Sequence, residues 1–149
     1  MSNPSITVRP AELTDLSDLL ALYRTLNGDD EPLDAQHAGE VYGAILSHPG
    51  LQVFLALDGA LPVATASLLI TPNLTRGGRP YAIIENVVSA RSHRGKGYGR
   101  AVVHHAIEAA RQAGCYKTML LTGRSDPAVH RFYETCGFVQ SKTGFQIRH

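Results

Sequence analysis

The spacing of apolar and polar positions along the chain predicts four helices and seven strands. Apolar residues recur every three or four positions in four segments, which is typical of amphipathic helices that bury one face. The shorter segments between them alternate apolar and polar residues or are apolar throughout, which is typical of strands. The predicted helices span residues 13–26, 38–46, 98–113 and 127–136, and the predicted strands span 6–9, 51–57, 63–70, 81–89, 115–121, 139–141 and 144–148.

The order of these elements along the chain indicates the fold class. It begins β-α-α, continues with an antiparallel meander of three strands, and ends with β-α-β crossovers and two short strands. We therefore expect an α/β (α+β) fold with a mixed, mostly antiparallel sheet of six to seven strands and helices on both faces. The length of 149 residues fits one domain, residues 1–149, with room for a sizeable core.

Two dipeptides give the sharpest local signals. Asp58-Gly59 lies between two predicted strands and is typical of a two-residue hairpin turn. Asp126-Pro127 is typical of a helix start, because an Asp side chain caps the first amides and proline is well accommodated at the first helical position. We therefore predict a hairpin turn at residues 58–59 and a helix that begins at residue 127.

Composition excludes several classes of protein. The longest uncharged apolar stretch, residues 61–74, is interrupted by proline and polar residues, so no segment approaches the roughly 18 residues of a membrane span. The first residues lack the basic and apolar regions of a secretory signal, and two cysteines, Cys115 and Cys136, do not make a disulfide scaffold. Neither an HExxH motif nor a Cys/His cluster indicates a metal. These features predict a cytoplasmic protein without a membrane partner and without a metal.

Charge is unevenly distributed along the chain. The formal net charge is +1, but residues 1–58 carry nine acidic and two basic residues, whereas residues 59–149 carry four acidic and twelve basic ones. Such an asymmetry indicates an anionic partner for the basic half, either nucleic acid or a phosphate-bearing cofactor. The alternative explanation is that folding mixes the two surfaces. Because no stacking platform or nucleic-acid motif is visible, no nucleic-acid partner is expected.

Residues 94–100, Arg-Gly-Lys-Gly-Tyr-Gly-Arg, form a glycine-rich loop between an apolar strand and a predicted helix. Glycines let backbone amides approach an anion closely, and a helix N-terminus adds partial positive charge to that of the basic side chains. The loop therefore predicts a phosphate or pyrophosphate site. Its spacing excludes a Walker loop, which needs GxxxxGK[ST], and a dinucleotide fingerprint, which needs GxGxxG.

The same loop contains Arg-x-x-Gly-x-Gly, with Arg94, Gly97 and Gly99 in the defining positions. Three flanking segments agree with it in order: Glu85-Asn-Val-Val88 before the loop, and Gly114-Cys-Tyr-Lys117 and Phe132-Tyr-Glu-x-x-Gly-Phe138 after it. On these motifs the chain resembles the GNAT superfamily of N-acetyltransferases over residues 5–148, and its cofactor half is similar to glucosamine 6-phosphate N-acetyltransferases.

The resemblance implies acetyl-CoA as the acetyl donor. In this family the backbone of the fourth strand pairs with the pantetheine arm, one of its amides polarises the acetyl carbonyl, and the loop amides bind the pyrophosphate. The implied cofactor-binding residues are Val87, Val88, Ser89, Arg94, Gly95, Lys96, Gly97, Tyr98, Gly99 and Arg100. Asp126 stands where relatives often carry Asn near the cofactor, and we interpret it mainly as a helix cap.

Acetyl transfer to an amine needs a base, a stabilised oxyanion and a proton for the departing thiolate. Glu85 is the candidate base: the family carries a glutamate there, and it interrupts a strand that is apolar on both faces, which predicts a central, desolvated carboxylate. Tyr133 is the candidate acid, because it occupies the family's Tyr-x-x-x-Gly-Phe position, where the phenol lies near the coenzyme sulfur. The alternatives are a Glu85 that pairs with an arginine and a Tyr133 that belongs to the core stripe of its helix.

The acceptor is less well defined. In this family the first two helices and the loop between them build the acceptor wall, and here they match no particular acceptor. Four acidic residues in that loop, Asp29, Asp30, Glu31 and Asp34, could attract a cationic amine or form a solvated loop. We expect direct transfer to the primary amine of a small molecule such as an amino sugar, amino acid or polyamine. The alternatives are a glucosamine 6-phosphate N-acetyltransferase-like enzyme, a protein N-terminal or lysine acetyltransferase, and a non-catalytic acetyl-CoA-binding module. Whether the protein assembles as a homodimer is left open.

Overall fold

The computed structural model describes residues 5–149, in which four helices surround one sheet. The strands are β1 (Thr7–Pro10), β2 (Leu51–Asp58), β3 (Leu61–Thr71), β4 (Tyr81–Ser89) and β5 (Thr118–Leu120). The helices are α1 (Leu16–Leu26), α2 (Ala35–Ser47), α3 (Tyr98–Gln112) and α4 (Pro127–Thr135). Short 3-10 turns occur at Leu13–Asp15, Arg76–Gly78 and Arg91–His93.

The five strands found in the described residues lie in the order β1-β2-β3-β4-β5. β1 to β4 pair antiparallel, and β5 pairs parallel with β4. The hairpin between β2 and β3 turns through Gly59 and Ala60, one position later than Asp58-Gly59, because Asp58 still pairs with Leu61 and Gly59 has a φ of +60°. The predicted mixed and mostly antiparallel sheet is therefore confirmed.

The prediction of six to seven strands is wrong, because residues 139–141 and 144–148 do not join the sheet. Val139, Phe145 and Ile147 are 81%, 93% and 84% exposed. Alternation of apolar and polar residues indicates that one face of a segment is buried and the other is exposed. A β-strand also needs a neighbouring strand edge with which its backbone can form hydrogen bonds. β5 has three residues, so it presents only a short edge to the C-terminal segment.

β5 is also shorter than the predicted strand 115–121. The amide of Cys115 donates to the Ala110 carbonyl at 3.1 Å, and the amide of Tyr116 donates to the Pro80 carbonyl at 2.9 Å. The first bond closes the end of α3 and the second joins the chain to the residue before β4. The regular ladder therefore starts only at Thr118.

Each face of the sheet has its own core, because successive strand residues point to opposite faces. One face packs against α3 and includes Phe54, Ala56, Ala66, Leu68, Ile84, Val102, Val103 and Ala106. The other packs against α1 and α2 and includes Leu19, Leu22, Tyr42, Val53, Leu55 and Val88. The prediction of helices on both faces is confirmed.

A β-bulge interrupts the pairing of β3 with β4. Between the pair Thr65–Val88 and the pair Ser67–Glu85, β4 contains one more residue than β3. Asn86 has a φ of +52°, a left-handed conformation that asparagine adopts more readily than most residues. The extra residue bends β4 and reverses its side-chain alternation, so that Val88 belongs to the core beneath α1.

An ion pair fixes the start of α1 to the sheet. Arg9 of β1 donates from both guanidinium nitrogens to Asp15, at 2.7 and 2.9 Å, and the amide of Glu12 donates to the same carboxylate at 2.7 Å. Asp15 is buried. These hydrogen bonds, led by the one from Arg9, lower the pKa of Asp15 below its ordinary value.

Candidate active site

A cleft of about 1020 Å³ opens where β4 and β5 separate. Their parallel pairing ends at Ile84 and Leu120, immediately before the bulge. Beyond that point β4 continues to Ser89, whereas β5 is followed by the loop 121–126. The walls of the cleft come from β4, this loop, the N-terminus of α3, α4, the end of α1 and the C-terminal segment.

The backbone of β4 beyond the bulge borders the cleft. Val87, Val88 and Ser89, which the resemblance assigns to the pantetheine arm, all line it. Ser89 pairs with Ala64 of β3 on one side, and across residues 5–149 no strand pairs with this stretch on the other. A free edge of this kind can hydrogen-bond an extended ligand as an additional strand would.

The glycine-rich loop leads into the N-terminus of α3, a helix of 15 residues. Gly95 and Gly97 have φ values of +74° and +92°, which strongly favour glycine, and Gly97 is the N-cap. The first helical bond of α3 runs from the Ala101 amide to the Gly97 carbonyl at 2.9 Å. A glycine N-cap has no side chain to occupy the amides that precede Ala101, so these amides and the helix dipole suit a phosphate group.

Gly99 lets α3 approach β4 and α4 closely. A Cβ at this position would lie 2.8 Å from Oγ of Ser89 and 3.6 Å from a ring carbon of Phe132. The first distance is too short for a carbon–oxygen contact, so a larger residue would displace its neighbours. The two glycines of the motif are therefore favoured for different physical reasons. Gly97 has a backbone conformation that favours glycine, whereas at Gly99 a side chain would come too close to the Ser89 hydroxyl.

The basic side chains of the loop differ in their surroundings. Arg94 and Arg100 line the cleft, whereas Lys96 does not. Arg100 donates to the Thr135 carbonyl at 3.1 Å and so ties the start of α3 to the end of α4. Of the ten predicted cofactor-binding residues, the structure brings all except Lys96 to this one cleft.

Glu85 lies at the cleft, but the prediction that it is buried is wrong. A strand apolar on both faces predicts covered positions, whereas the bulge and the end of pairing with β5 open this position to solvent. In the described part of the chain the carboxylate forms no ion pair, which removes the alternative of a Glu85 satisfied by an arginine.

Tyr133 lies half-buried on α4 in the wall of the cleft. Its ring meets those of Phe132 and Phe138 edge to face, with centroids 5.1 and 6.1 Å apart. Burial raises the pKa of the phenol, and the negative charge of Glu85 adds to the increase while Arg124 opposes it. The phenol is therefore protonated at neutral pH.

Sequence reasoning missed three contributors to the cleft: the bulge at Asn86, the cations Arg124 and Arg148, and residues 25–27 at the end of α1. The polar pair Glu85-Asn86 inside an apolar strand was a signal for the bulge. Nothing in the spacing of the two arginines pointed to the cleft, because each lies outside regular structure.

The remaining acidic candidates act as caps or lie in solvent. Oδ1 of Asp126 accepts a hydrogen bond from the Ala128 amide at 2.9 Å, which confirms its interpretation as the cap of α4. Asp34 accepts from the His37 amide at 3.1 Å and caps α2. Residues 29–34 are exposed and do not line the cleft.

Residues 5–149 contain neither a metal-binding cluster nor a membrane-spanning helix. No group of three or more histidine, cysteine or carboxylate side chains there could hold a metal ion. Among the helices of the same residues, none combines the length and the apolar character needed to cross a membrane.

The class of protein follows from a comparison with known families. Residues 13–138 match the model of the acetyltransferase (GNAT) family, so the chain belongs to that family. The match confirms the resemblance carried by the motifs and supports the prediction of an acetyltransferase.

Individual relatives carry more specific names. The chain is 43% identical over 76 residues to a glucosamine 6-phosphate N-acetyltransferase from Trypanosoma brucei brucei, and the match covers 51% of this chain and half (50%) of that protein's length. It is 33% identical over 138 residues to glucosamine 6-phosphate N-acetyltransferase 1 from Oryza sativa subsp. japonica, covering 89% of this chain and 81% of that one. A provisionally named acetyltransferase from Agrobacterium tumefaciens str. C58 has a solved structure that is 62% identical, covers 97% of this chain and 100% of that one, and superposes with a TM-score of 0.94.

Proposed function

We propose that this protein transfers the acetyl group of acetyl-CoA directly to the primary amine of a small molecule. One observation carries the proposal: the free edge of β4, the amides at the start of α3, Glu85 and Tyr133 all border the same cleft. The first two suit an extended donor that carries phosphates, and the last two supply a base and an acid. Membership of the acetyltransferase family supports the acetyl group as the one transferred.

The chain's own residues fit the chemistry of coenzyme A. Its pantetheine arm contains amide groups, which the backbone of Val87 to Ser89 can pair with in the manner of a strand. Its pyrophosphate is an anion that the amides after Gly97 and the guanidinium of Arg94 can bind. When bound there, acetyl-CoA supplies an activated acetyl thioester to the cleft.

The transfer step uses Glu85 and Tyr133. The neutral amine nitrogen attacks the thioester carbonyl, so that an N–C bond forms and the C–S bond breaks. Glu85 takes the proton that the amine loses, directly or through a water that its exposed position admits. Tyr133 gives a proton to the departing thiolate, and its raised pKa keeps that proton on the phenol at neutral pH until the sulfur needs it. A free amide of β4 stabilises the oxyanion that forms between these steps.

Charges around the cleft favour an amine that also carries an anionic group. Arg124 and Arg148 line the cleft, whereas the acidic loop 29–34 lies outside it. The carboxylates of Glu85 and Asp126 also line the cleft, but the four guanidinium groups of Arg94, Arg100, Arg124 and Arg148 outnumber them. A polyamine would therefore meet net positive charge, while a carboxylate or phosphate would pair with the guanidinium groups. The similarity to glucosamine 6-phosphate N-acetyltransferases makes glucosamine 6-phosphate the second, more specific candidate acceptor.

A thiol-release assay with acetyl-CoA and a panel of amines tests the proposal. Glucosamine 6-phosphate, glucosamine, an acidic amino acid, spermidine and a lysine peptide represent the acceptor classes. We expect at least one small amine to increase thiol release above the rate of acetyl-CoA hydrolysis. We also expect a higher kcat/KM for glucosamine 6-phosphate than for glucosamine. If acetyl-CoA raises the Tm of the protein but no amine increases thiol release above hydrolysis, the protein is a binding module. A higher kcat/KM for the peptide than for the small amines would contradict a small-molecule acceptor.

A further inference from the structure

A carboxylate outside the cleft ties the glycine-rich loop to the hairpin between β2 and β3. Asp58, the last residue of β2, accepts a hydrogen bond from Nε2 of His93 at 2.9 Å. Nδ1 of the same ring lies 2.8 Å from Oγ of Ser92, so both ring nitrogens have partners. The His93 side chain is 16% exposed and lines the cleft, whereas Asp58 is 55% exposed and does not line it.

The same carboxylate reaches the residue on the other side of the loop. Burial raises the pKa of the Tyr98 phenol, and the nearby charge of Asp58 raises that pKa further. The rings of His93 and Tyr98 meet edge to face, with centroids 5.5 Å apart. Asp58, His93 and Tyr98 therefore form one cluster, which we call the loop clamp, at the two ends of residues 94–97.

The segment that the clamp brackets would otherwise be conformationally free. Residues 94–97 read Arg-Gly-Lys-Gly, and both glycines have positive φ, a combination with many accessible conformations in an unrestrained chain. Asp58 lies in the hairpin of two long strands that pair along most of their length, so it is a rigid point of attachment. Holding both ends of the loop arranges its amides before a ligand arrives, which lowers the entropic cost of binding.

We propose that Asp58 is a positioning residue for the acetyl donor, and that it acts through His93 and Tyr98 to hold the loop in its phosphate-binding conformation. The inference rests on the proposed function, in which this loop binds the pyrophosphate of acetyl-CoA. A bare carboxylate near the loop would repel phosphate, and its pairing with His93 offsets that repulsion. Two effects of opposite sign therefore compete at this position, and our proposal is that positioning is the larger.

The variant Asp58→Asn tests this with two acetyl donors, acetyl-CoA and S-acetylpantetheine, which lacks the pyrophosphate. We expect the KM for acetyl-CoA to rise about tenfold, the effect of one charge-assisted hydrogen bond. The kcat and the KM for S-acetylpantetheine should stay at their wild-type values. An unchanged or lower KM for acetyl-CoA would overturn the proposal, and so would an equal rise for both donors.

A second variant and a control make the comparison specific. His93→Gln should reproduce the effect of Asp58→Asn, and the double variant should exceed neither single one, because the two residues act as a unit. His93→Gln also carries the test if Asp58→Asn does not fold. Glu108→Gln removes another exposed carboxylate, paired with Arg111 at the far end of α3, and should leave both KM values unchanged.

The same data separate failure of this inference from failure of the proposed function. A wild-type protein that uses neither donor contradicts the proposed function and, with it, this inference. A wild-type protein that uses both donors with the same KM contradicts phosphate binding by the loop, and so the role of Asp58, but not acetyl transfer to an amine. If the wild-type protein has a lower KM for acetyl-CoA than for S-acetylpantetheine and the Asp58→Asn variant shows the same difference, only the role of Asp58 is contradicted.

Discussion

Oγ of Ser89 lies 2.8 Å from the position that a Cβ of Gly99 would occupy. This contact joins the end of β4 to the first turn of α3, the two elements to which we assign the acetyl donor. A side chain at position 99 requires the Ser89 hydroxyl to rotate away or the helix to move from the strand. The close approach of these two elements therefore depends on the small size of the residue at position 99.

Gly99→Ala should weaken both the fold and donor binding. Overpacking of this kind costs about 1–3 kcal/mol, and the shift of α3 away from β4 should raise the KM for acetyl-CoA. Chemical denaturation and initial-rate kinetics measure the two effects. Gly43→Ala is the matched control, because nothing lies within 4 Å of a Cβ at that position of α2. It should stabilise the protein by about 0.5–1 kcal/mol without changing KM, and a Gly99→Ala variant that behaves like it would refute the steric argument.

Tyr133→Phe should lower kcat about 100-fold, because it removes the acid that protonates the thiolate. The KM for acetyl-CoA should stay the same, since the ring keeps its contacts with Phe132 and Phe138. Tyr116→Phe provides the control, because the Tyr116 ring lies outside the cleft against Arg76 and Lys117. Full turnover by the Tyr133→Phe protein would remove this residue from the mechanism.

The pH dependence of kcat should follow the raised pKa of Tyr133. The phenol acts in its protonated form, so the activity that depends on it is present below this pKa and is lost as pH rises through it, above the ordinary value of 10.0. Arg124→Ala removes a positive charge that lowers the pKa, so the falling limb should move to higher pH, as measured by kcat at saturating acceptor. A limb that stays in place or moves to lower pH would show that another group titrates.

Asp15 should make the stability of the protein depend on pH in the acid range. Its folded-state pKa is lowered, mainly by the hydrogen bond from Arg9. Its contribution is therefore complete above the unfolded-state pKa, near 3.8, and is lost as pH falls through the lowered folded-state value. Asp15→Asn should cost about 1–3 kcal/mol of unfolding free energy at pH 7 and less at pH 3, as measured by urea denaturation. Asp29→Asn, in the exposed loop, should cost nothing at either pH, and a pH-independent loss at Asp15 would show that charge is not the cause.

The sequence predicted the helices and the first four strands because their signals are local. The apolar stripes of α1 and α3 and the cap at Asp126 depend on residues a few positions apart. The C-terminal strands were predicted by the same alternation, but whether residues 139–148 find an edge depends on the length of β5, which is distant from them in the sequence. Local pattern could not decide that question.

The candidate site divides in the same way. The loop that begins at Arg94 could be recognised because glycine spacing and charge are read along the chain. The exposure of Glu85 could not be recognised from the sequence, because it depends on where the pairing between β4 and β5 ends. The charge asymmetry between the two halves of the chain also has a partial answer in the structure: Asp58 of the acidic half pairs with His93 beside the basic loop.

The most direct test of the account is the identity of the product. Wild-type protein is incubated with acetyl-CoA and the amine that responds best in the panel, and mass spectrometry quantifies the N-acetylated amine against the free thiol. We predict equal amounts of both products, formed about 100-fold more slowly by Tyr133→Phe. Thiol released without an N-acetylated amine, or an acetyl group found on the protein before it reaches the amine, would contradict direct transfer.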